Sequence, residues 1–89
     1  MFLFVGNLPF LESIGNYVKV IMSNETITVR DKISNLLSKL PIDDFLKVHK
    51  SYAVAKSHIR SIEGNRIFIN TYEVPIGKMY KEEVGRLLN

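Results

Sequence analysis

The chain has 89 residues, of which 46% are apolar, and its 12 lysines and arginines exceed its 9 acidic residues to give a net charge of +3. This length holds one domain with a modest core, and the apolar content excludes an intrinsically disordered chain. The absence of cysteine excludes a disulfide scaffold and a thiolate metal site, and it agrees with a reducing cytoplasm. Mild basicity permits an anionic partner without requiring one.

The apolar start of the chain does not have the pattern of a targeting segment. No basic leader or small-residue cleavage site accompanies it, and Gly6, Asn7 and Pro9 interrupt it. We therefore expect no signal peptide, no membrane span and a cytoplasmic location.

Short runs rich in Val, Ile, Phe and Tyr predict β-strands. Turn-forming residues separate several of these runs at Gly15-Asn16, Ser23-Asn24-Glu25 and Glu63-Gly64-Asn65. The last is the clearest hairpin signal, because Gly and Asn tolerate the positive φ of a tight turn. The strands Ser51–Lys56 and His58–Ile62 form either a pair or one bent strand. In chain order the predicted strands are Phe10–Ser13, Tyr17–Met22, Thr26–Arg30, Ser51–Lys56, His58–Ile62 and Arg66–Asn70.

Two segments have helical periodicity. The first predicted helix runs from Ile33 to Leu40, with Asp31 as its cap and Pro41 at its end. The second is weaker and runs over residues 78–88, because Gly85 costs about 1 kcal/mol relative to Ala. Together with the hairpins, these segments predict a mainly β fold with short helices and antiparallel sheets.

Catalysis has little support in the sequence. His49 and His58 lie nine positions apart with no carboxylate at ligand spacing, and Asp43-Asp44 is more typical of a solvated turn. No phosphate-binding glycine loop or nucleophile motif occurs. We therefore predict no enzyme activity, no catalytic residue, no metal site and no cofactor.

Cations concentrate in the second half of the chain. We interpret the run from Phe45 to Val54 as a polar loop that leads into a buried strand. A further pair, Lys78 and Lys81, follows a predicted loop at Pro75-Ile76-Gly77. Such clusters can neutralise phosphates, but lysines on a solvated strand edge explain the charge equally well. The first cluster, opposed only by Glu63, consists of Lys47, His49, Lys50, Lys56, His58, Arg60 and Arg66.

Several of the polar and aromatic residues near these cations have ordinary structural explanations. Asn16 after Gly15 is more often a turn former than a base reader. Tyr17, Tyr52 and Tyr80 lie in apolar patterns, which indicate core or boundary positions. The residues taken one at a time thus leave DNA binding and a purely structural role open.

Five segments in order resemble the LytTR family, the DNA-binding output domains of many bacterial response regulators. The resemblance implies an elongated fold of antiparallel sheets whose loops, in place of a recognition helix, insert side chains into successive major grooves on one face of double-stranded DNA. It also implies a role in transcription regulation within two-component systems. The matching segments are Phe10–Val20, Ile33–Leu40 with the proline after it, Phe45–Val54, Ile59–Asn65 and Val74–Tyr80.

The resemblance assigns expected roles by position. Loop residues that would read bases are Asn16, Tyr17, Lys50 and Lys78. Residues that would contact DNA phosphates are Lys47, Ser51 and Lys81. His49 is expected to hold the middle loop and not to read DNA.

The chain also departs from the family pattern. Lys50 stands where Arg or Asn is common and Lys78 where Arg is common, and lysine lacks the planar fork for bidentate reading of guanine. Ala55 replaces a frequent Asn, and Gly77 replaces a frequent Ser. Only nine residues precede Phe10, so we expect the family's N-terminal strand to be shortened or missing.

These features leave the partners of the domain open. We expect residues 1–89 to form a single DNA-binding domain without a receiver domain, which would lie on another part of a longer protein. Paired DNA repeats would engage two copies as a homodimer. The alternative is a protein-interaction or dimerisation module with the same fold that does not bind DNA.

Overall fold

The computed structural model describes residues 8–22, 25–40 and 44–88. Strands dominate this part of the chain, and two helices accompany them. The elements are β1 (Phe10–Ile14), β2 (Tyr17–Ile21), β3 (Thr26–Val29), α1 (Ile33–Ser38), β4 (Phe45–His49), β5 (Tyr52–Ala55), β6 (Ser61–Glu63), β7 (Arg66–Ile69), β8 (Tyr72–Pro75) and α2 (Lys81–Leu88).

The larger sheet has five antiparallel strands in the order β3-β2-β1-β5-β4. The central strand β1 places Phe10 opposite Val54 and Leu11 opposite Ala53. Successive side chains of a strand point to opposite faces, so Phe10 and Leu11 lie on different sides of the sheet. Both are almost fully buried, which means that both faces of this sheet are covered.

Helix α1 covers one face of the larger sheet. Its buried residue is Ile33, while Leu36 and Leu37 are half-buried against the same cluster. A helix of six residues is not stable alone, so it depends on this apolar contact. The buried members of this first core are Leu8, Leu11, Val18, Val20, Ile33, Phe45, Ala53 and Ala55.

The smaller sheet and α2 cover the opposite face. The smaller sheet has three antiparallel strands in the order β6-β7-β8. The Phe10 ring lies edge-on to Tyr72 with 5.0 Å between ring centroids, which joins the two sheets directly. The buried members of this second core are Phe10, Ile21, Leu46, Val48, Val54, Ile67, Ile69, Val74, Ile76 and Val84.

The predicted mainly β, antiparallel fold is confirmed, and so are two of its turns. Gly15 and Gly64 have φ of +58° and +61° in the β1–β2 and β6–β7 turns. These left-handed conformations are easy for glycine and strained for other residues. The predicted turn at Ser23-Asn24 and the N-terminal strand before Leu8 lie outside the described residues.

Three strand predictions were wrong. Phe45–His49 is strand β4, where we expected a loop, and only Lys50 and Ser51 form the turn after it. Lys56–His58 is a 3-10 turn, so β5 is not continued or paired by the next segment. Instead, Ser61–Glu63 joins the smaller sheet. Tyr72–Pro75 is a strand that the sequence did not indicate.

The helices differ from prediction at their ends. Lys32 and not Asp31 is the N-cap of α1, and the Asp31 carboxylate accepts hydrogen bonds from the Lys32 N–H and the Asn35 side chain instead. Helix α1 ends at Ser38, and Pro41 lies outside the described residues. The second predicted helix divides into a 3-10 turn, Lys78–Tyr80, followed by α2. Within the described ranges, neither helix has the length and apolar character needed to cross a membrane.

Candidate nucleic-acid interface

Three loops meet at one end of the larger sheet, which we call the loop end. The first loop, Gly15 to Tyr17, joins β1 to β2, and the middle loop, Lys50-Ser51, joins β4 to β5. Because β1 and β5 are antiparallel neighbours, these two turns lie at the same end. The third loop, Gly77 to Tyr80, follows the smaller sheet and lies beside the last residues of β4.

Backbone hydrogen bonds hold the three loops in place. The Ser13 N–H donates to the Ser51 carbonyl at 2.7 Å, which links the first and middle loops. The Gly77 N–H donates to the Val48 carbonyl at 2.7 Å, which fixes the third loop against β4. The middle loop therefore lies between the other two.

The side chain of His49 contacts the middle loop and Tyr52. Its Nδ1 accepts a hydrogen bond from the Ser51 N–H at 3.1 Å, and its ring lies edge-on to Tyr52 at 5.4 Å. The Tyr52 hydroxyl in turn donates to Glu12 Oε2 at 3.0 Å. Burial raises the pKa of Tyr52, and the hydrogen bond to Glu12 raises it further. The role of His49 as a loop support stays a prediction, but these contacts agree with it.

The third loop is anchored by one aromatic side chain. The Tyr80 N–H donates to the Gly77 carbonyl at 2.9 Å, and the Tyr80 ring packs against the second core. A Cβ at position 77 would lie 3.0 Å from the Tyr80 ring and 3.4 Å from His49. The glycine that departs from the family pattern therefore lets the third loop approach the end of β4 closely.

The four predicted base readers all lie exposed at the loop end. Asn16 occupies the first turn, Tyr17 begins β2, Lys50 occupies the middle turn and Lys78 begins the 3-10 turn of the third loop. The structure therefore brings together residues that lie far apart in the chain. Their contact with bases remains a prediction.

The predicted phosphate contacts are less uniform. Lys81 is exposed at the first residue of α2, and Ser51 is half-buried in the middle turn. Lys47 lies within β4 opposite Ala53, half-buried on the face that α1 covers. Lys47 is therefore set back from the loops, and its reach to DNA depends on its long side chain.

The basic cluster seen in the sequence is divided by the fold. Strand β5 runs away from the loop end, so Lys56 and His58, which follow it directly, lie at the opposite end. Arg60 donates to the Asn70 carbonyl at 3.0 Å, and Arg66 forms an exposed ion pair with Glu73. Three of the cluster's seven members are thus removed from the predicted interface, namely Lys56, His58 and Arg60. Arg66 lies opposite Pro75, two residues before the third loop, and its guanidinium is paired with Glu73.

The fold adds two cations that sequence reasoning missed. Strand β3 pairs with β2 so that Val29 lies opposite Val18, which carries Arg30 and Lys32 to the loop end beside Asn16. The Asp31 carboxylate between them is held by Asn35, and this hydrogen bond lowers its pKa. This position of Arg30 could have been predicted from the sequence, because the register of the predicted β2–β3 hairpin is enough to bring Arg30 to the loop end. An open depression at this point is lined by Gly15, Asn16, Arg30, Asp31, Lys32 and Asn35.

Metal-binding groups are sparse in the residues that the structure describes. No three His, Asp or Glu side chains converge there in a way that could hold an ion. The prediction that the chain is not an enzyme is untested by this finding and stays a prediction.

Comparisons with known proteins agree with the resemblance seen in the sequence. A family model for the LytTr DNA-binding domain matches residues 1–89. The sensory transduction protein LytT of Bacillus subtilis (strain 168) is 29% identical over 79 residues, which cover 82% of this chain and 33% of LytT. The chain therefore spans about a third of the length of that relative.

A solved structure shows the same fold. It is the LytTr DNA-binding domain of a protein described as a methyl-accepting/DNA response regulator from Bacillus cereus. It matches 96% of this chain and 84% of its own chain with a TM-score of 0.88, at 22% sequence identity. The arrangement of two sheets around a common core is thus shared with that domain.

Proposed function

The chain belongs to the LytTR family of DNA-binding domains, and from this premise we propose that it binds duplex DNA sequence-specifically in bacterial transcription regulation. The observation that supports the proposal most directly is the loop end. Three loops from different parts of the chain are held side by side by backbone hydrogen bonds, and each exposes a polar or cationic side chain. We take residues 1–89 as one such domain.

The spacing of the loops follows from the order of the strands in the larger sheet. Neighbouring strands lie about 4.8 Å apart, so the centres of the first and middle hairpin turns are separated by roughly 10 Å. The first and third loops are the outermost. In our proposal they enter successive major grooves, with Lys50 between them.

The side chains of the loops suit the reading of bases. Lys50 and Lys78 can donate to guanine O6 and N7, and Asn16 can pair with the edge of adenine. Tyr17 is 48% exposed beside Asn16 and offers a phenol to the same groove. Loops held by a rigid sheet keep such groups in register, which supports specificity.

Phosphate contacts would position the domain without reading sequence. Lys47, Ser51 and Lys81 belong to this group in our proposal, and Arg30 and Lys32 extend it on the side of the first loop. Each neutralised phosphate releases counterions, so binding must weaken as salt rises.

A binding assay with a random duplex pool tests the proposal. Fluorescence anisotropy at two salt concentrations should show binding at low salt and much weaker binding at high salt. Selection of the bound duplexes should then yield an enriched sequence. Absence of binding at low salt would rule out the proposal.

Substitutions then separate the two kinds of contact. Lys50→Ala and Lys78→Ala should flatten the preference for the selected sequence by about 1–3 kcal/mol per contact. Lys81→Ala and Arg30→Ala should instead weaken all duplexes equally and reduce the salt slope by about one unit each.

Lys56→Ala is the matched control, because it removes the same charge at the opposite end of the sheet. It should leave both the salt slope and the sequence preference unchanged. If Lys56→Ala acted like Lys81→Ala, net charge and not the loop end would govern binding.

Size-exclusion chromatography with and without DNA distinguishes the rival function. A protein-interaction or dimerisation module would form a dimer whose size-exclusion volume ignores added DNA. Binding of two copies to paired repeats would instead require DNA for the larger species.

Because LytT is named a sensory transduction protein and extends well beyond the matched region, we also propose that a receiver domain accompanies this one in a longer protein.

A further inference from the structure

The third loop exposes an apolar side chain to an unusual degree. Met79 is 93% exposed, about twice as much as Tyr17, the next most exposed of the large apolar side chains in the described residues. Single exposed apolar residues are common on proteins, so exposure alone says little. The position of Met79 within the loop end is what gives it meaning.

The local backbone directs Met79 away from the protein. Lys78–Tyr80 is a 3-10 turn, in which successive side chains are spaced by a third of a turn. Tyr80 packs inward against the second core, and its N–H closes the turn on the Gly77 carbonyl. Lys78 and Met79 are consequently both exposed, one cation beside one flexible thioether.

This pair matches features that neighbouring base pairs present in the major groove. Guanine offers the O6 and N7 acceptors that Lys78 can reach, and thymine offers a C5-methyl group that only an apolar side chain can recognise favourably. Methionine is unbranched and adapts its shape to such a contact. We propose that Met79 contacts the C5-methyl of a thymine next to the base pair read by Lys78, which makes it a specificity-determining residue.

The charges around Met79 favour DNA as its partner over an apolar protein surface. Lys78 and Lys81 flank Met79 on the same short segment, and both are exposed. An apolar protein surface or pocket would have to desolvate these charges, whereas a DNA groove is lined by phosphates that attract them. The inference rests on the proposed function, since it names one more contact of the same interface.

Replacement of thymine by deoxyuridine tests the contact without altering base pairing. The probe is the duplex enriched by the unmodified protein, with each thymine replaced in turn by deoxyuridine so that only one methyl group is lost. At one position, affinity measured by anisotropy should fall about fourfold, the change expected when one apolar carbon loses its burial.

Protein variants identify the side chain that senses this methyl group. Met79→Gln keeps the length of the side chain and should bind the thymine and deoxyuridine duplexes equally at that position. Met79→Leu stays apolar and should restore most of the discrimination. Thr26→Ala is the control, because Thr26 is exposed at the opposite end of the sheet, and it should discriminate as the unmodified protein does.

Two results would overturn the inference while leaving DNA binding intact. One is an enriched duplex in which no thymine methyl affects affinity. The other is a Met79→Gln protein that still discriminates thymine from deoxyuridine at that position. Failure to bind any duplex at low salt would instead overturn the proposed function itself, and the inference with it.

Discussion

The two sheets bury their residues in different ways. The five-stranded sheet is covered on both faces, by α1 on one side and by the smaller sheet with α2 on the other. The three-stranded sheet buries one face only, with Ile67, Ile69 and Val74 inward and Arg66 and Glu73 exposed. Two of the three loops belong to the sheet that is packed on both sides.

This difference indicates a division of roles. The larger sheet fixes the first and middle loops through its own hydrogen-bonded register. The smaller sheet closes the second core, and the chain leaving β8 then passes directly into the third loop. The position of the third loop thus depends on the interface between the sheets, which the following predictions probe in order of decreasing effect.

Removal of a buried side chain from the smaller sheet should have the largest effect on stability. Ile67 is fully buried in the second core, and Ile67→Ala should lower the free energy of unfolding by about 2–5 kcal/mol because it leaves a cavity. Urea unfolding followed by circular dichroism and by tyrosine fluorescence measures this loss. Ile62→Ala, at a 41% exposed position of the same sheet, is the control and should cost much less. Two separate transitions in the Ile67→Ala protein would show that the sheets unfold independently.

Loss of the Tyr52 hydroxyl should have an intermediate effect. Tyr52→Phe removes the hydrogen bond to Glu12 and should cost about 1 kcal/mol, a value reduced by the partial exposure of the pair. The pKa of Tyr52 is raised in the folded protein, so its contribution is present below the ordinary tyrosine pKa of about 10 and is lost as pH rises through the folded pKa. The difference between the two proteins in urea melts should therefore shrink above pH 10. A constant difference would contradict this assignment.

The two turn glycines offer a direct comparison of the sheets. Gly15→Ala and Gly64→Ala meet no neighbouring atoms but force a left-handed residue, so each should cost about 1 kcal/mol. Thermal or urea unfolding should give similar losses for both. DNA affinity should fall more for Gly15→Ala, because only Gly15 adjoins the predicted base readers Asn16 and Tyr17. Equal losses of DNA affinity in the Gly15→Ala and Gly64→Ala proteins would show that the first loop is not part of the interface.

The exposed ion pair of the smaller sheet should contribute least. Glu73→Gln breaks the contact with Arg66, but both side chains are exposed and water screens them. We expect an unfolding midpoint close to that of the unmodified protein, and any small difference should disappear in high salt. A large loss would mean that the outer face of the smaller sheet is more important than its exposure indicates.

Local turn chemistry was the most reliable signal in the sequence. The hairpins at Gly15 and Gly64 were predictable because positive φ leaves few alternatives to glycine. Helix α1 could be predicted equally well from its leucine face, since a period of 3.6 residues differs clearly from strand alternation. These elements depend on neighbours within a few positions.

Strand β4 was not predicted because polar residues alternate with its buried ones. Phe45, Leu46 and Val48 are buried, but Lys47 and His49 between and after them suggested a polar loop. The register of β4 against β5 also shifts between Lys47 and His49, so simple alternation fails there. In β8, Pro75 and Glu73 concealed a strand that tolerates them because it lies at the edge of its sheet.

The composition of the loop end depended on long-range pairing. Nothing local shows that Ser61–Glu63 leaves the larger sheet, or that Gly77 approaches Val48 across the chain. The sequence cluster around Lys47 to Arg66 therefore overstated the local charge, while Arg30 was overlooked. The resemblance gave the positions of the predicted base readers, and the fold shows that these positions lie at one end of the larger sheet.

The bonds that join the three loops have a consequence for how such a domain diversifies. Ser13 with Ser51, and Gly77 with Val48, are linked through main-chain atoms alone, so these links do not depend on which side chains the loops carry. Positions 16, 50 and 78 are exposed and can be exchanged while the distances between the loops stay the same. If these three positions read bases as we propose, a library randomised there would yield domains of one fold with different target sequences, and duplicated genes could diverge in the same way.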